Sequence, residues 1–295
     1  MSVMPYLSRI RINPLRAASR NLLASPRAMH AAVQGGLPGP PEQERTLWRL
    51  DSDNRHRPQL FVLTTDKPDW NHLVEQAGWP GADDEHYAVR DYTPLLKQLA
   101  PGRTFAFRLT ANPVQNTNRP DKPTPRQQER ITAGDRRSFR IGHRTAAAQL
   151  NWFLARTSLW GFDVPVAAHL DATHGTDNEP PRDIRITTRQ RRSFAKGSIT
   201  TKETAVVMNA VTFEGRLRIT DPTVLAERLL AGIGPSKAYG CGLLTLAPLP
   251  EARTGGPHPH PAGEPAEIVD PACGDAPHQY PLGERHFGSA LRLQG

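Results

Sequence analysis

No stretch of the 295-residue chain approaches the ~18 consecutive apolar residues that a membrane-spanning helix requires, which excludes an integral helical membrane protein. There are only two cysteines, Cys241 and Cys273, too few for a disulfide framework or a four-thiolate zinc site and in keeping with a reducing compartment. Aromatic residues make up just 6% of the chain, so base-stacking platforms are scarce. Acidic residues are missing altogether from the first 41 positions, which hold five arginines. What is abundant is positive charge. Lys and Arg number 37 against 29 Asp and Glu, for a net charge of +8, and the sequence pI is near 9.9. Such a balance favours a polyanionic partner, with nucleic acid ahead of anionic lipid.

The charge is clustered. An Arg-rich, acid-free start can be an organellar transit peptide, but Tyr6 to Ile12 alternates in its second half as a half-buried strand does. Arg16 and Arg20 in this run are candidate RNA-binding residues. A second cluster contains Arg126, Arg130, Arg136, Arg137, Arg140 and Arg144, and a third contains Arg182, Arg185, Arg189, Arg191, Arg192 and Lys196. One cluster alone is an ordinary solvated face; three can converge on one phosphate backbone, where binding is strongly salt-dependent.

The element order predicts an α+β protein made of two tandem ferredoxin-like (RRM-like, βαββαβ) domains with antiparallel sheets. The first spans 1–111, with Tyr6 to Ile12, Leu47 to Leu50, Leu60 to Leu63 and the alternating Phe105, Phe107 and Leu109 as its strands. Residues 112–144 are rich in proline and charge and read as a basic linker or loop. The second domain spans 145–249. Its helix carries Leu150, Phe153, Leu154 and Thr157 at helical spacing. A hairpin turns at Glu214-Gly215, and a second helix starts with Asp221 as N-cap and Pro222 at the first helical position. The tail, 250–295, holds eight prolines and seven glycines with no periodicity, a composition that reads as disorder. His258-Pro259-His260 within it lacks the neighbouring carboxylates or thiols of a metal site, and no metal or cofactor is expected.

Two segments can carry chemistry. In Ser25-Pro26-Arg27-Ala28-Met29-His30, the serine caps and the proline restarts a helix, placing His30 near its N-terminus. The positive helix end disfavours imidazolium, so the ring stays poised near neutrality. Arg27, three residues earlier, shares its face. A histidine beside a guanidinium suits metal-free RNA cleavage, in which the 2′-hydroxyl attacks the adjacent phosphorus while the imidazole moves a proton and a cation steadies the charge. The bland alternative is a surface histidine with no special contact. The second segment runs from Gly232 to Gly242, with Gly232, Gly234, Gly240 and Gly242 around Lys237. It follows a helix and enters a strand, so it is neither a Walker loop nor a Rossmann fingerprint; its glycines could admit a phosphate to the backbone, or simply make a turn.

The N-terminal strand with Asn13-Pro14, the Ser25-Pro26 to Met29-His30 segment, Phe213-Glu214-Gly215-Arg216-Leu217, Asp221-Pro222 and the glycine-rich loop entering Leu243-Leu244 occur in this order in one family. Over Tyr6 to Pro248 the chain resembles the CasE-type CRISPR repeat endoribonucleases of type I-E systems, members of the RAMP superfamily. The resemblance implies a cytoplasmic, metal-independent nuclease that cuts CRISPR precursor RNA at the repeat hairpin. The product is a 2′,3′-cyclic phosphate, and the mature crRNA stays within the Cascade complex, among that assembly's other subunits and away from membranes. The family's catalytic histidine falls on His30, with Arg27 beside it. The glycine-rich loop falls on Gly232, Gly234, Lys237, Gly240 and Gly242, and a basic hairpin that enters the RNA major groove falls on Arg189, Arg191, Arg192 and Lys196. Some members carry a tyrosine and a lysine where this chain has Arg27 and Gly35, so Arg27 or Lys237 would supply the missing charge. The competing expectation is a non-catalytic subunit that holds an RNA hairpin.

Overall fold

The structure, a computed structural model, describes residues 4–40, 46–82, 85–134, 138–167, 180–195 and 205–249. The expected tail, 250–295, and Lys196 lie outside the described residues.

The first half runs β1 (Tyr6–Arg11), α1 (Ala17–Ala24), α2 (Pro26–Gln34), β2 (Leu47–Asp51), β3 (Gln59–Thr64), α3 (Asn71–Ala77) and β4 (Tyr87–Asp91). Its strands form an antiparallel sheet in the order β2-β3-β1-β4, the ferredoxin-like arrangement. Period-2 alternation sends Ile10, Trp48, Leu60 and Val62 to one face, where Met29 and Val33 of α2 and Leu73 and Ala77 of α3 cover them. All eight are buried.

The closing strand of this half is β4, not the Phe105-Phe107-Leu109 segment that the sequence pattern suggested. Tyr87–Asp91 is an edge strand with one buried residue, Ala88, so it carries almost no apolar signal. The strong alternation belongs to β5 (Thr104–Ala111), which follows the short α4 (Thr93–Lys97) and pairs instead with β10 (Ala205–Ile219).

Between these partners come β6 (Val114–Thr117), α5 (Pro125–Thr132), β7 (Phe139–Gly142), α6 (Ala146–Leu154), β8 (Phe162–Asp163) and β9 (Ile184–Ala195), and α7 (Pro222–Ala231) and β11 (Leu244–Ala247) follow. The second sheet has the order β11-β5-β10-β8, with β9 also paired to β10, so β5-α6-β9-β10-α7-β11 repeats the βαββαβ order. Phe153 of α6 seals its core, 4.9 Å from Phe213 and 5.5 Å from Phe107 between ring centroids. Burying each such ring contributes roughly 1.5–3 kcal/mol.

Two further expectations change. Residues 112–144 are not a bare linker: β6 and β7 pair antiparallel, and α5 between them starts with a Thr124–Gln127 capping box. Glu214-Gly215 is no turn either, because β10 runs through it as one 15-residue strand and the hairpin is β9–β10. Gly215 is glycine because a Cβ there would collide with the Asp183 carbonyl. Glu214 is buried because it accepts from Arg108 and Arg185.

That glutamate belongs to a buried network joining the two sheets. Arg49 of β2 holds Asp51 through two bonds of 2.7 and 2.9 Å and donates to the Arg108 carbonyl at 2.9 Å and the Leu243 carbonyl at 3.1 Å. Arg108 of β5 pairs with Asp51 at 3.1 Å, and also with Asp53 and Glu214. Burying ions costs several kcal/mol each unless their hydrogen bonds are filled. Here the Asp51 carboxyl, although desolvation pushes its pKa up, is held below its ordinary 3.8 by the two guanidiniums.

Candidate active site

Ser25 is the hinge on which the site is built. Its N–H closes α1 on the Asn21 carbonyl, while its Oγ accepts from the Ala28 N–H at 3.2 Å to open α2, with Pro26 in the first position. Met29 and Val33 anchor α2 in the core, which fixes the helix rotation and leaves His30 half-buried and Arg27 exposed. The His30 Nδ1 is buried without a hydrogen-bond partner among the described residues, and Nε2 is the ring nitrogen left for a substrate. Burial pushes the His30 pKa below its ordinary 6.5, so the neutral ring is the resting form.

The wall beside α2 is the glycine-rich loop, whose 3-10 turn Lys237–Tyr239 packs on both α2 and β2. The approach is close. Gly240 has φ +80°, and a Cβ on it would sit 2.7 Å from the Trp48 ring. The loop's backbone is largely spent on itself. The N–H of Gly232 donates to the Arg228 carbonyl, that of Ile233 to Gly242, that of Gly240 to Lys237, and that of Gly242 to Thr110. The expectation that Gly232, Gly240 and Gly242 cradle a phosphate through their N–H groups therefore gives way to a packing role, because those donors are occupied. Ser236, at φ +67°, accepts from the Asn112 amide at 2.9 Å.

The other sequence-derived candidates fall into two places. Arg16 precedes α1 and Arg20 lies one turn into it, on the same helix face. Arg189, Arg191 and Arg192 lie on β9. Arg189 donates to the Gln149 side chain at 2.9 Å and to the Arg144 carbonyl. Arg192 is drawn toward the loop, where burial lowers its pKa and Cys241 is its neighbour; Phe194 meets Tyr239 edge-on at 4.7 Å on the same side. Sequence reasoning missed Arg49, Asp51, Arg108 and Glu214. Only Arg108 and Glu214 sit opposite each other on paired strands, a register no local pattern reveals.

A family model described as CRISPR associated protein matches residues 5–248. The chain belongs to this family. It is 30% identical over 247 residues to the CRISPR-associated endoribonuclease Cse3 of Thermus thermophilus, covering 82% of this chain and all of that protein. It is 25% identical over 206 residues to the Cascade subunit CasE of Escherichia coli, covering 69% and 89% of the two chains. Among solved structures, Thermus thermophilus Cse3 bound to an RNA representing a pre-cleavage complex superposes with a TM-score of 0.59 at 28% identity, over 83% of this chain and the whole of that one. This member of the CRISPR-associated family has the tandem ferredoxin-like fold of those relatives. Among its described residues no helix is long and apolar enough to cross a membrane.

Proposed function

We propose that the chain is a cytoplasmic endoribonuclease that cuts CRISPR precursor RNA at the repeat hairpin and keeps the product as a subunit of a Cascade-type complex. The observation that carries the reading is His30, half-buried and neutral at rest, on the helix against which the Lys237 turn packs. Its relatives, an endoribonuclease and a Cascade subunit by name, support it.

The chemistry follows from these side chains. The neutral imidazole takes the proton of the 2′-hydroxyl as that oxygen bonds to the adjacent phosphorus. The bond from phosphorus to the 5′ oxygen breaks, water supplies a proton to that oxygen, and a 2′,3′-cyclic phosphate remains. Arg27 and Lys237, on the two walls, steady the charge gathering on the phosphoryl oxygens. Arg16, Arg20, Arg189, Arg191, Arg192 and Lys196 hold the RNA backbone, while Gly232, Gly234, Gly240 and Gly242 shape the wall.

Single-turnover cleavage of the repeat hairpin in EDTA tests the reading. His30→Ala should slow cleavage by at least about 10²-fold while hairpin affinity stays unchanged, and a substrate with 2′-deoxyribose at the scissile position should bind uncut. Cleavage of that deoxy substrate, or loss of activity in EDTA, would overturn the mechanism. Intact RNA at every time point with the unaltered protein would reduce the chain to a passive holder of the hairpin.

A further inference from the structure

The β6-α5-β7 insertion and the β9–β10 hairpin line an open cavity of about 890 Å³. Lys122, Arg140, Arg144, Arg189 and Arg191 line it, and among the described residues no carboxylate does. Of these five cations, only Arg189 has its guanidinium bonded to described residues. Concentrating cations around a concave surface raises the local potential well above that of a flat face. The cavity's floor includes Met208 and Val211, and Val207 on its rim is 51% exposed, an apolar step among charges.

Size and shape select the ligand. The volume lies within the roughly 300–1,000 Å³ of sites that enclose small organic groups, enough for a few nucleotides and too little for a duplex. Paired bases in an A-form stem cannot be turned into such a recess, whereas unpaired ones can. Position selects which nucleotides. Asn112 lines the cavity and donates to Ser236 of the loop, and that loop's 3-10 turn packs on the helix carrying His30. The cavity and the helix carrying His30 are thus joined through one loop.

We propose that this cavity binds the unpaired strand that flanks the repeat hairpin beside the scissile phosphate, gripping its phosphates with Lys122, Arg140 and Arg144. The inference rests on the nuclease reading, and it gives the insertion's cations a role in holding the flank, at a cavity they share with Arg189 and Arg191 of β9.

The test compares two RNAs, the stem alone and the stem with its unpaired flank, by fluorescence anisotropy over a salt series. The unaltered protein should bind the flanked RNA about tenfold tighter or more. The triple variant Lys122→Ala/Arg140→Ala/Arg144→Ala should lose that preference, and its slope of log affinity against log salt should fall by about 2 for the flanked RNA only, at about 0.7 per single-strand phosphate contact. Unchanged stem affinity in the variant shows that it is folded. Equal losses on both RNAs would mean that these cations hold the stem, and no flank preference in the unaltered protein would mean an empty cavity; either result overturns the proposal. If the full repeat is bound and cut without any flank effect, this inference alone falls. If the repeat is neither bound nor cut, both readings fall together.

Discussion

Arg49 donates from Nη1 to the main-chain oxygen of Arg108 at 2.9 Å, so a guanidinium of the first sheet is seated on the backbone of a second arginine in the other sheet. Asp51 closes the triangle by accepting from both side chains. Two positive groups can lie this close because Asp51, Asp53 and Glu214 surround them.

Removing Arg108 takes one of two guanidiniums from each of the buried carboxylates Asp51 and Glu214. Arg108→Ala should therefore destabilise the protein by about 3–5 kcal/mol, measured as a shift in the urea unfolding midpoint. A change within about 1 kcal/mol, the worth of an exposed pair, would show that water reaches this site.

The same network sets an acid limit. Asp51 has a lowered pKa in the folded protein, so it contributes stability at pH values above its ordinary 3.8 and loses that contribution as pH falls through the lower folded value. Asp51→Asn should be clearly less stable than the parent at pH 7, with the gap narrowing below about pH 4. Urea titrations across that range read the difference directly, and a gap that stayed constant would argue against ionised Asp51 as its source.

The His30 ring, with its pKa pushed below 6.5 by burial, is unprotonated through the neutral range. If it is the base, single-turnover cleavage should level off toward neutral pH, with an acid limb whose midpoint lies below 6.5. Arg27→Ala should lower the plateau by about 10-fold or more, a loss of about 1.4 kcal/mol of transition-state stabilisation, without moving this limb. A rate that rises as pH falls through 6 would make the imidazolium the active form.

Gly240→Ala tests the wall. The substitution places a side chain at φ +80° and drives a methyl group toward Trp48, at a cost of about 1–3 kcal/mol for the backbone conformation alone. Cleavage should fall more than hairpin affinity, because the loop meets the histidine helix while Arg189 of β9 bonds away from it, to Gln149 and the Arg144 carbonyl. Loss of binding with cleavage per bound RNA intact would contradict that geometry.

Cys241 provides a check on packing. It is buried, and its thiol is pushed up to about 12 by burial despite Arg192 nearby. Peptide mapping after iodoacetamide treatment of the native protein should recover Cys241 unmodified and, after denaturation, alkylated. Modification of the native form at an appreciable rate would mean that the loop opens.

The sequence pattern was informative where structure is local. Ser25 as cap, Pro26 as restart, Asp221 as the cap of α7 and the alternation of β1 each depend on neighbours within a few residues, and all stand in the structure. It misled where the determining partner is remote. Phe105 and Phe107 alternate convincingly, but nothing local shows that Phe107 stacks on Phe153 of the second core rather than joining the first. Gly215 looks like a turn until Asp183 is placed against it. The candidate site divides in the same way. His30 and Arg27 follow from helix phase, whereas the tie of the glycine loop to Thr110, and the cavity lined by Asn112 and Asn209, depend on strands more than 90 residues apart in sequence.

The lodging of Gly240 against Trp48 has an outcome for dissection of the molecule. The imidazole comes from one half of the gene and its neighbouring wall from the other, so a fragment ending before β5 would retain His30 but present it to open solvent on the loop side. Co-expressing the two pieces is then a complementation assay in which RNA cutting reports reunion.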